Sequence, residues 1–454
     1  MPSNVILVHG YSVRSLDTYG QLPQQLAKDG YKAEQIHLSA YESLNDDVTC
    51  DDLALALEGR IKTLERAGLK LADTAIIAHS TGAIITRRWM MNRWKVGATL
   101  PSHLVTLAGA NHGSTLAQLG ETQLAHLFRL ISDGTAVGLE VLQDLDYGSE
   151  FLLKLNEEWL DAYSSNAPPA TLVFSLIGDD HSGLINQLFW QTHENGSDTT
   201  VRVSGGNLNY RILSYDQTAQ KPQLLLKQLA RPVPHLVIHG VSHTGTSGIL
   251  GADADTMATL VYPNIRQALG AKAAADYDRV ASDWEQRTLQ WSEQNTEHCN
   301  STIVFSLKHP GGRNVKDSLI LIKDQSAPAA GPQTTPNAIA MGEAQAVLNV
   351  KGSIEDRQPI QNNFTASSVS FYVNHARFTK SYPHTVQILI TSGCTEITYP
   401  PTLYTVEANS DKSIRPNEFI YVKITLDRQA LGTYVTVPLS KGPDVKKTFP
   451  PMPT

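Results

Sequence analysis

The chain has 454 residues, enough for two or more domains that each bury a core. Apolar residues make up 41% and charged residues 18%, the balance of a globular protein, which excludes a disordered one. The net charge of −7 comes with no basic run interleaved with aromatics, so no nucleic-acid partner is expected.

The chain opens with an apolar strand, Asn4 to Val8, followed by His9-Gly10-Tyr11. A glycine there lets the backbone double back and present an amide to whatever lies beyond the strand. Helical patterns follow near 20–28 and 51–67, with a strand near 34–39 between them. This alternation predicts a mostly parallel sheet covered by helices on both faces.

Residues 75–82 read Ala-Ile-Ile-Ala-His-Ser-Thr-Gly, an apolar run that stops at a serine flanked by small residues. A buried strand passing straight into a helix at a serine needs a strained turn, and only small residues two before and two after avoid collision. Ala78 and Gly82 meet that need. The hydroxyl of Ser80 would stand free at the tip as a nucleophile, and the amide of Thr81, at the helix start, would face a developing oxyanion together with that of Tyr11.

Two later strands complete the pattern. Ser102 to Ser114 is a buried strand ending in a polar, glycine-containing loop, and Pro234 to Thr244 is a late strand that delivers His243 on the loop after it. A serine at 80 and a histidine at 243 with an acid between them give the chain order Ser, Asp, His.

On these residues the chain resembles the α/β-hydrolase superfamily, in its lipase and esterase branch of bacterial true lipases and phospholipase-like serine hydrolases, over about residues 3–270. Asp144-Leu145, Gly148 to Leu152 and Leu155-Asn156 look like the cap region of those lipases. The resemblance implies a serine-dependent carboxylic ester hydrolase acting through an acyl-enzyme on lipid acyl esters, with neither metal nor cofactor. Asp198 looks like the acid of the family's Asp-Gly-x-Val segment, although Thr199 stands where the family prefers glycine. Asp179 and Asp180 end the strand Thr171 to Gly178, where simpler hydrolases carry the acid, so Asp180 is the alternative. Two other functions stay open: an esterase, thioesterase or amidase on a soluble acyl substrate, and an inactive hydrolase-fold binding protein.

Between about 114 and 165 three helical patterns run without a strand: Leu124 to Ile131, Leu139 to Leu145 and Phe151 to Trp159. Inserted after a sheet strand, they are expected to cap the site. The hydrolase domain is expected to span 1–270 and a bridging helix 271–300. Short strands with Gly, Pro and Asn turns then predict an antiparallel β-sandwich over 301–454. Charge divides along the same line: net −11 over 1–300 and net +4 over 301–454, a balance that would suit peripheral contact with anionic lipid.

Cys50, Cys299 and Cys394 are odd in number and widely spaced, which argues against a disulfide framework or a metal site. No basic n-region precedes the first strand and no apolar run is long enough to cross a bilayer. The expected location is cytoplasmic, with signal-independent export as the alternative.

Overall fold

Six strands form a wholly parallel sheet: β1 (Asn4–Val8), β2 (Ile36–Leu38), β3 (Thr74–His79), β4 (His103–Leu107), β5 (Leu172–Gly178) and β8 (His235–Ile238), in the order β2-β1-β3-β4-β5-β8. The computed structural model describes residues 1–11, 16–38, 45–115, 117, 138–180, 194–251, 253–315, 318–324, 360–361, 368–374, 385–392, 397–398, 404–407 and 415–430. The strands read as unbroken apolar runs because both faces are covered. Ile6, Val8, Ile76 and Ala78 enter one core with Leu53, Leu57 and Ile61, while Val5, Leu7, Ala75 and Ile77 enter the opposite one with Leu22 and Leu26.

Among the described residues the covering helices include α1 (Leu22–Lys28), α2 (Cys50–Arg66), α3 (Thr81–Lys95), α4 (Leu139–Leu145), α5 (Glu150–Tyr163), α6 (Tyr262–Gly270) and α7 (Ala274–Gln294). Thr49 starts α2 with a reciprocal cap: its hydroxyl accepts from the Asp52 amide at 3.2 Å, and the Asp52 carboxylate accepts from the Thr49 amide at 3.0 Å. The bridging helix α7 lays Tyr277, Val280 and Trp284 into one core and Trp291 into the other.

Of the three patterns expected to form the cap, Leu124 to Ile131 lies outside the described residues. The other two form α4 and α5, both tied to the body. Leu152, Leu155 and Trp159 of α5 are buried in the core that holds Ile84, Ile85 and Trp89 of α3. Asp144 of α4 accepts the Cys50 amide at the start of α2, at 2.9 Å, where the helix dipole favours a negative group.

A second six-stranded sheet joins β6 (Arg211–Asp216) and β7 (Leu225–Gln228) to β9 (Asn300–Lys308), β11 (Ile360–Gln361), β12 (Ser368–Asn374) and β16 (Phe419–Thr425), in the order β11-β12-β9-β16-β6-β7. Among the described residues the C-terminal region also holds a three-stranded antiparallel sheet of β10 (Ser318–Asp324), β13 (Thr385–Ser392) and β15 (Tyr404–Glu407). A short pair is made by β14 (Ile397–Thr398) and β17 (Gln429–Ala430).

Two details depart from the sequence-based expectation. The second sheet is mixed, since β16 runs parallel to both β9 and β6. It also takes the β6–β7 hairpin from inside residues 1–270, so its strands do not all follow residue 301. The signal for β6 is hidden by Arg211, a buried charge at the strand's start that pairs with Glu418 of the loop before β16. One face of this sheet places Val304, Phe419 and Tyr421 in the α3–α5 core; the other gathers Ile303, Phe305, Phe371, Ile420 and Val422 in a core of its own.

Burial pushes the Asp144 carboxyl up to about 6 from an ordinary 3.8. The folded state then holds a proton that the unfolded chain has released, so this contribution to stability is complete below pH 3.8 and is lost as pH rises through about 6. Asp144→Asn removes the titration. The thermal midpoint of the variant minus that of the wild type is expected to rise between pH 4 and pH 7; a difference that stays constant over this range refutes the assignment.

Candidate active site

Ser80 alone makes the turn from β3 into α3, with φ 54° and ψ −126°. For a residue with a side chain this backbone costs on the order of 1–3 kcal/mol. The surroundings hold it in place. Its amide donates to Leu107 O at 3.0 Å, and its carbonyl accepts from Ala83 N at 3.0 Å and Ala110 N at 3.2 Å. A Cβ on Gly82 would stand 2.4 Å from His9 O, and one on Gly10 would stand 2.7 Å from the Cβ of Ser80. The small residues of the motif are therefore required by the close passage of the β1 end over the serine. Gly10 itself packs against Ser80 and is followed in the chain by Tyr11, and Thr81 is the first residue of α3.

His243 arrives on the loop after β8. Its Nε2 lies 3.0 Å from Ser80 Oγ and its Nδ1 lies 2.8 Å from Asp198 Oδ2. Its amide also donates to Asp198 O at 2.8 Å, so ring and backbone are referred to the same residue. All three side chains are buried, Asp198 completely. The second carboxylate oxygen of Asp198 accepts from the amides of Thr200 at 3.1 Å and Val201 at 2.8 Å. Thr199 has φ 89°, a conformation that a β-branched residue rarely adopts and that explains why glycine would suit the position.

The competing acids have other partners. Asp179 accepts from Gly240 N and bonds His239 Nδ1, both at 2.8 Å, and accepts from Trp291 Nε1 at 2.6 Å, thereby fixing the start of the loop that carries His243. Asp180 accepts from Ser247 Oγ at 3.4 Å, and its amide donates to Val241 O. The carboxylate brought to His243 is that of Asp198.

Three further histidines lie nearby in the sequence pattern. The His79 ring sits 4.8 Å from that of His243, and burial holds it well below its ordinary 6.5. Burial likewise lowers His9, against the raising effect of the Gly10 carbonyl bonded to its Nδ1. His112 points elsewhere: it bonds Asn207 O at 2.9 Å and Tyr421 OH at 3.2 Å, in the seam with the second sheet. Among the described residues no group of three or more His, Cys, Asp and Glu is placed to hold a metal.

A hydroxyl, an imidazole and a carboxylate in line allow the imidazole to take the hydroxyl proton while the carboxylate holds its tautomer and its charge. The sequence pattern missed the fastening of the loop that carries Asp198. Arg202 pairs with Glu194 in that loop under the ring of Tyr372 from the second sheet, and residues so distant in the chain carry no shared local signal.

A model of the lipase (class 2) family matches residues 2–223, a span that includes Ser80 and Asp198 and stops short of His243. The structure of phospholipase PlaB from Legionella pneumophila matches with a TM-score of 0.79 and 26% identity, over 97% of this chain and 96% of that one. The chain is an α/β-hydrolase of the lipase and esterase branch. PlaB in complex with thio-NAD matches this hydrolase equally, at 0.79 and 26%, over 97% of both chains. Mature lipase BlEst2 from Bacillus licheniformis matches at 0.38 and 16%, over 59% of this chain and 91% of its own. No curated protein matches the chain. Among the described residues no helix is long and apolar enough to cross a membrane.

Gly82→Ala tests the elbow, because helix propensity and steric fit predict opposite signs. Alanine in a helix gains about 1 kcal/mol over glycine, whereas here its Cβ would lie 2.4 Å from a carbonyl oxygen. The collision is expected to dominate, lowering the thermal midpoint and cutting ester turnover by about a hundredfold. A variant as stable and active as the wild type would show that the turn is not this tight.

Proposed function

We propose that this hydrolase cleaves lipid acyl esters, phospholipids among them, with Ser80 as nucleophile, His243 as general base and Asp198 as the acid that orients the imidazole. The observation that carries the reading is the pair of contacts made by one ring, 3.0 Å to Ser80 Oγ and 2.8 Å to Asp198 Oδ2. In the first step His243 Nε2 takes the Ser80 proton as Oγ attacks the ester carbonyl. The carbonyl oxygen becomes an oxyanion, for which the amides of Thr81 and Tyr11 are the proposed donors; each such donor is worth about 3 kcal/mol. Collapse expels the alcohol, which takes the proton from His243 and leaves the acyl group on Ser80. Water then attacks this acyl-enzyme with His243 again as base, releasing the fatty acid and restoring the hydroxyl.

The choice of a lipid substrate is supported by the family model over the first half of the chain and by the likeness to PlaB, a phospholipase, along nearly all of it. A phospholipase needs access to a surface, and the +4 balance of residues 301–454 agrees with contact between that region and anionic lipid.

The decisive experiment incubates purified wild type and Ser80→Ala with phospholipid vesicles, neutral glycerides and a short soluble ester, and follows fatty-acid release and labelling by a fluorophosphonate. Wild type is expected to release fatty acid from vesicles and to label; Ser80→Ala is expected to do neither. His243→Ala should lose about 10⁶-fold and Asp198→Asn about 10⁴-fold in kcat, and Asp180→Asn should stay within about twofold of wild type, since it orients no reacting group. Turnover of the soluble ester alone would move the substrate to a soluble acyl compound. Full turnover by Ser80→Ala or His243→Ala would end the mechanism.

A further inference from the structure

The loop that carries Asp198 is fastened from outside the parallel sheet. It begins at Glu194 and closes at Arg202, whose Nε and Nη2 donate to the two carboxylate oxygens of Glu194 at 2.8 and 2.6 Å. Both residues are buried, Arg202 completely. The guanidinium lies over the ring of Tyr372 at 4.1 Å and over that of Tyr147 at 4.6 Å. Just past this closure Val203 N donates to Gly196 O at 2.8 Å and within it Asp198 N donates to Val201 O at 3.1 Å, with Thr199 in its strained conformation.

The second sheet grips the same loop at its other shoulder. Tyr372 OH, on β12, lies 2.6 Å from Asn195 O and 3.0 Å from Gly196 O. Asn300, at the start of β9, donates its side-chain amide to Asn195 O at 2.7 Å. The approach is close enough that a Cβ on Gly196 would lie 2.2 Å from His298 O.

A buried ion pair adds little net stability, because desolvation offsets most of the attraction. What a bidentate pair under two aromatic rings does provide is a fixed geometry. The geometry at stake is the tilt of the Asp198 carboxylate, held only two and three residues away by the amides of Thr200 and Val201.

We propose that Tyr372, together with the Arg202–Glu194 pair that it covers, is a positioning residue for the reaction: the second sheet holds Asp198 in register with His243. The inference rests on Asp198 being the acid of the mechanism above. It makes the C-terminal strands part of the catalytic apparatus, although among the described residues none of theirs is hydrogen-bonded to the hydroxyl or the imidazole.

The test is a double-mutant cycle in the full-length chain, with Tyr372→Phe and Asp198→Asn, read as kcat and KM on a soluble ester and as thermal midpoints. Tyr372→Phe keeps the ring over Arg202 and removes only the hydroxyl. Its kcat is expected to fall about tenfold, since small misplacements of a catalytic group cost up to about a hundredfold, with KM within about twofold. In the Asp198→Asn background the same change should alter kcat by less than about twofold, because nothing remains to position. An undiminished kcat in Tyr372→Phe, a loss confined to KM, or an equal loss in both backgrounds overturns the proposal. Full activity in Asp198→Asn instead overturns the choice of acid, which separates the two failures. Should Tyr372→Phe fail to fold, Asn300→Ala removes a bond to the same Asn195 carbonyl and is judged by the same cycle.

Discussion

One imidazole holds the arrangement together. The ring of His243 meets a serine 163 residues before it and a carboxylate 45 residues before it, and its amide is tied to the same aspartate. Each of these segments ends or follows a strand of the parallel sheet, and such sheets gather polar groups at the carboxyl ends of their strands. The sheet supplies position to within the length of a loop. The remaining precision comes from the loops themselves: Asp179 anchors the one that carries His243, and the Glu194–Arg202 pair closes the one that carries Asp198.

What was readable in the sequence follows from how locally each feature is determined. Buried parallel strands need apolar side chains on both faces, so β1, β3 and β4 read as continuous runs, and the turn at Ser80 demands small neighbours within two residues. Ser80, Gly82 and the His9-Gly10 pair were legible for that reason. The choice between Asp198 and Asp180 was not, because both follow the same strand in a polar stretch and only the path of the backbone decides which carboxylate reaches the ring. The hairpin β6–β7 was invisible for a related reason. Arg211 reads as surface until Glu418, 207 residues later, neutralises it inside the protein.

The two sheets share a seam of buried polar groups as well as an apolar core. Arg87, on the helix that follows Ser80, is completely buried and donates to Asn111 O at 3.1 Å and to Asn156 Oδ1 at 2.8 Å, with its guanidinium 4.5 Å from the Trp159 ring. Asn156 in turn donates to Tyr421 OH of β16 at 2.9 Å and accepts through its backbone carbonyl from Tyr210 OH at 2.6 Å. A buried hydrogen-bonded network restricts how its members can be arranged, since moving one leaves its partners unbonded in a medium of low dielectric. These contacts tie the helix that follows Ser80, α5 and the second sheet to one another.

In the proposed mechanism the charge pattern around the ring favours transfer of the Ser80 proton to His243. His79 lies beside His243, and burial disfavours its charged form, so the neighbour adds no positive charge where one must develop. His9, close to the same turn through Gly10, is lowered by burial in the same sense. On the other side of the ring stands the Asp198 carboxylate at 2.8 Å, in surroundings without solvent, where opposite charges attract more strongly than in water. In the proposed mechanism a proton leaving Ser80 Oγ moves onto an imidazole that has the His79 ring beside it and the Asp198 carboxylate at its Nδ1. Protonating His79 would put positive charge beside that imidazole and oppose the step, so the burial of the His79 ring is as much a part of the arrangement as the carboxylate.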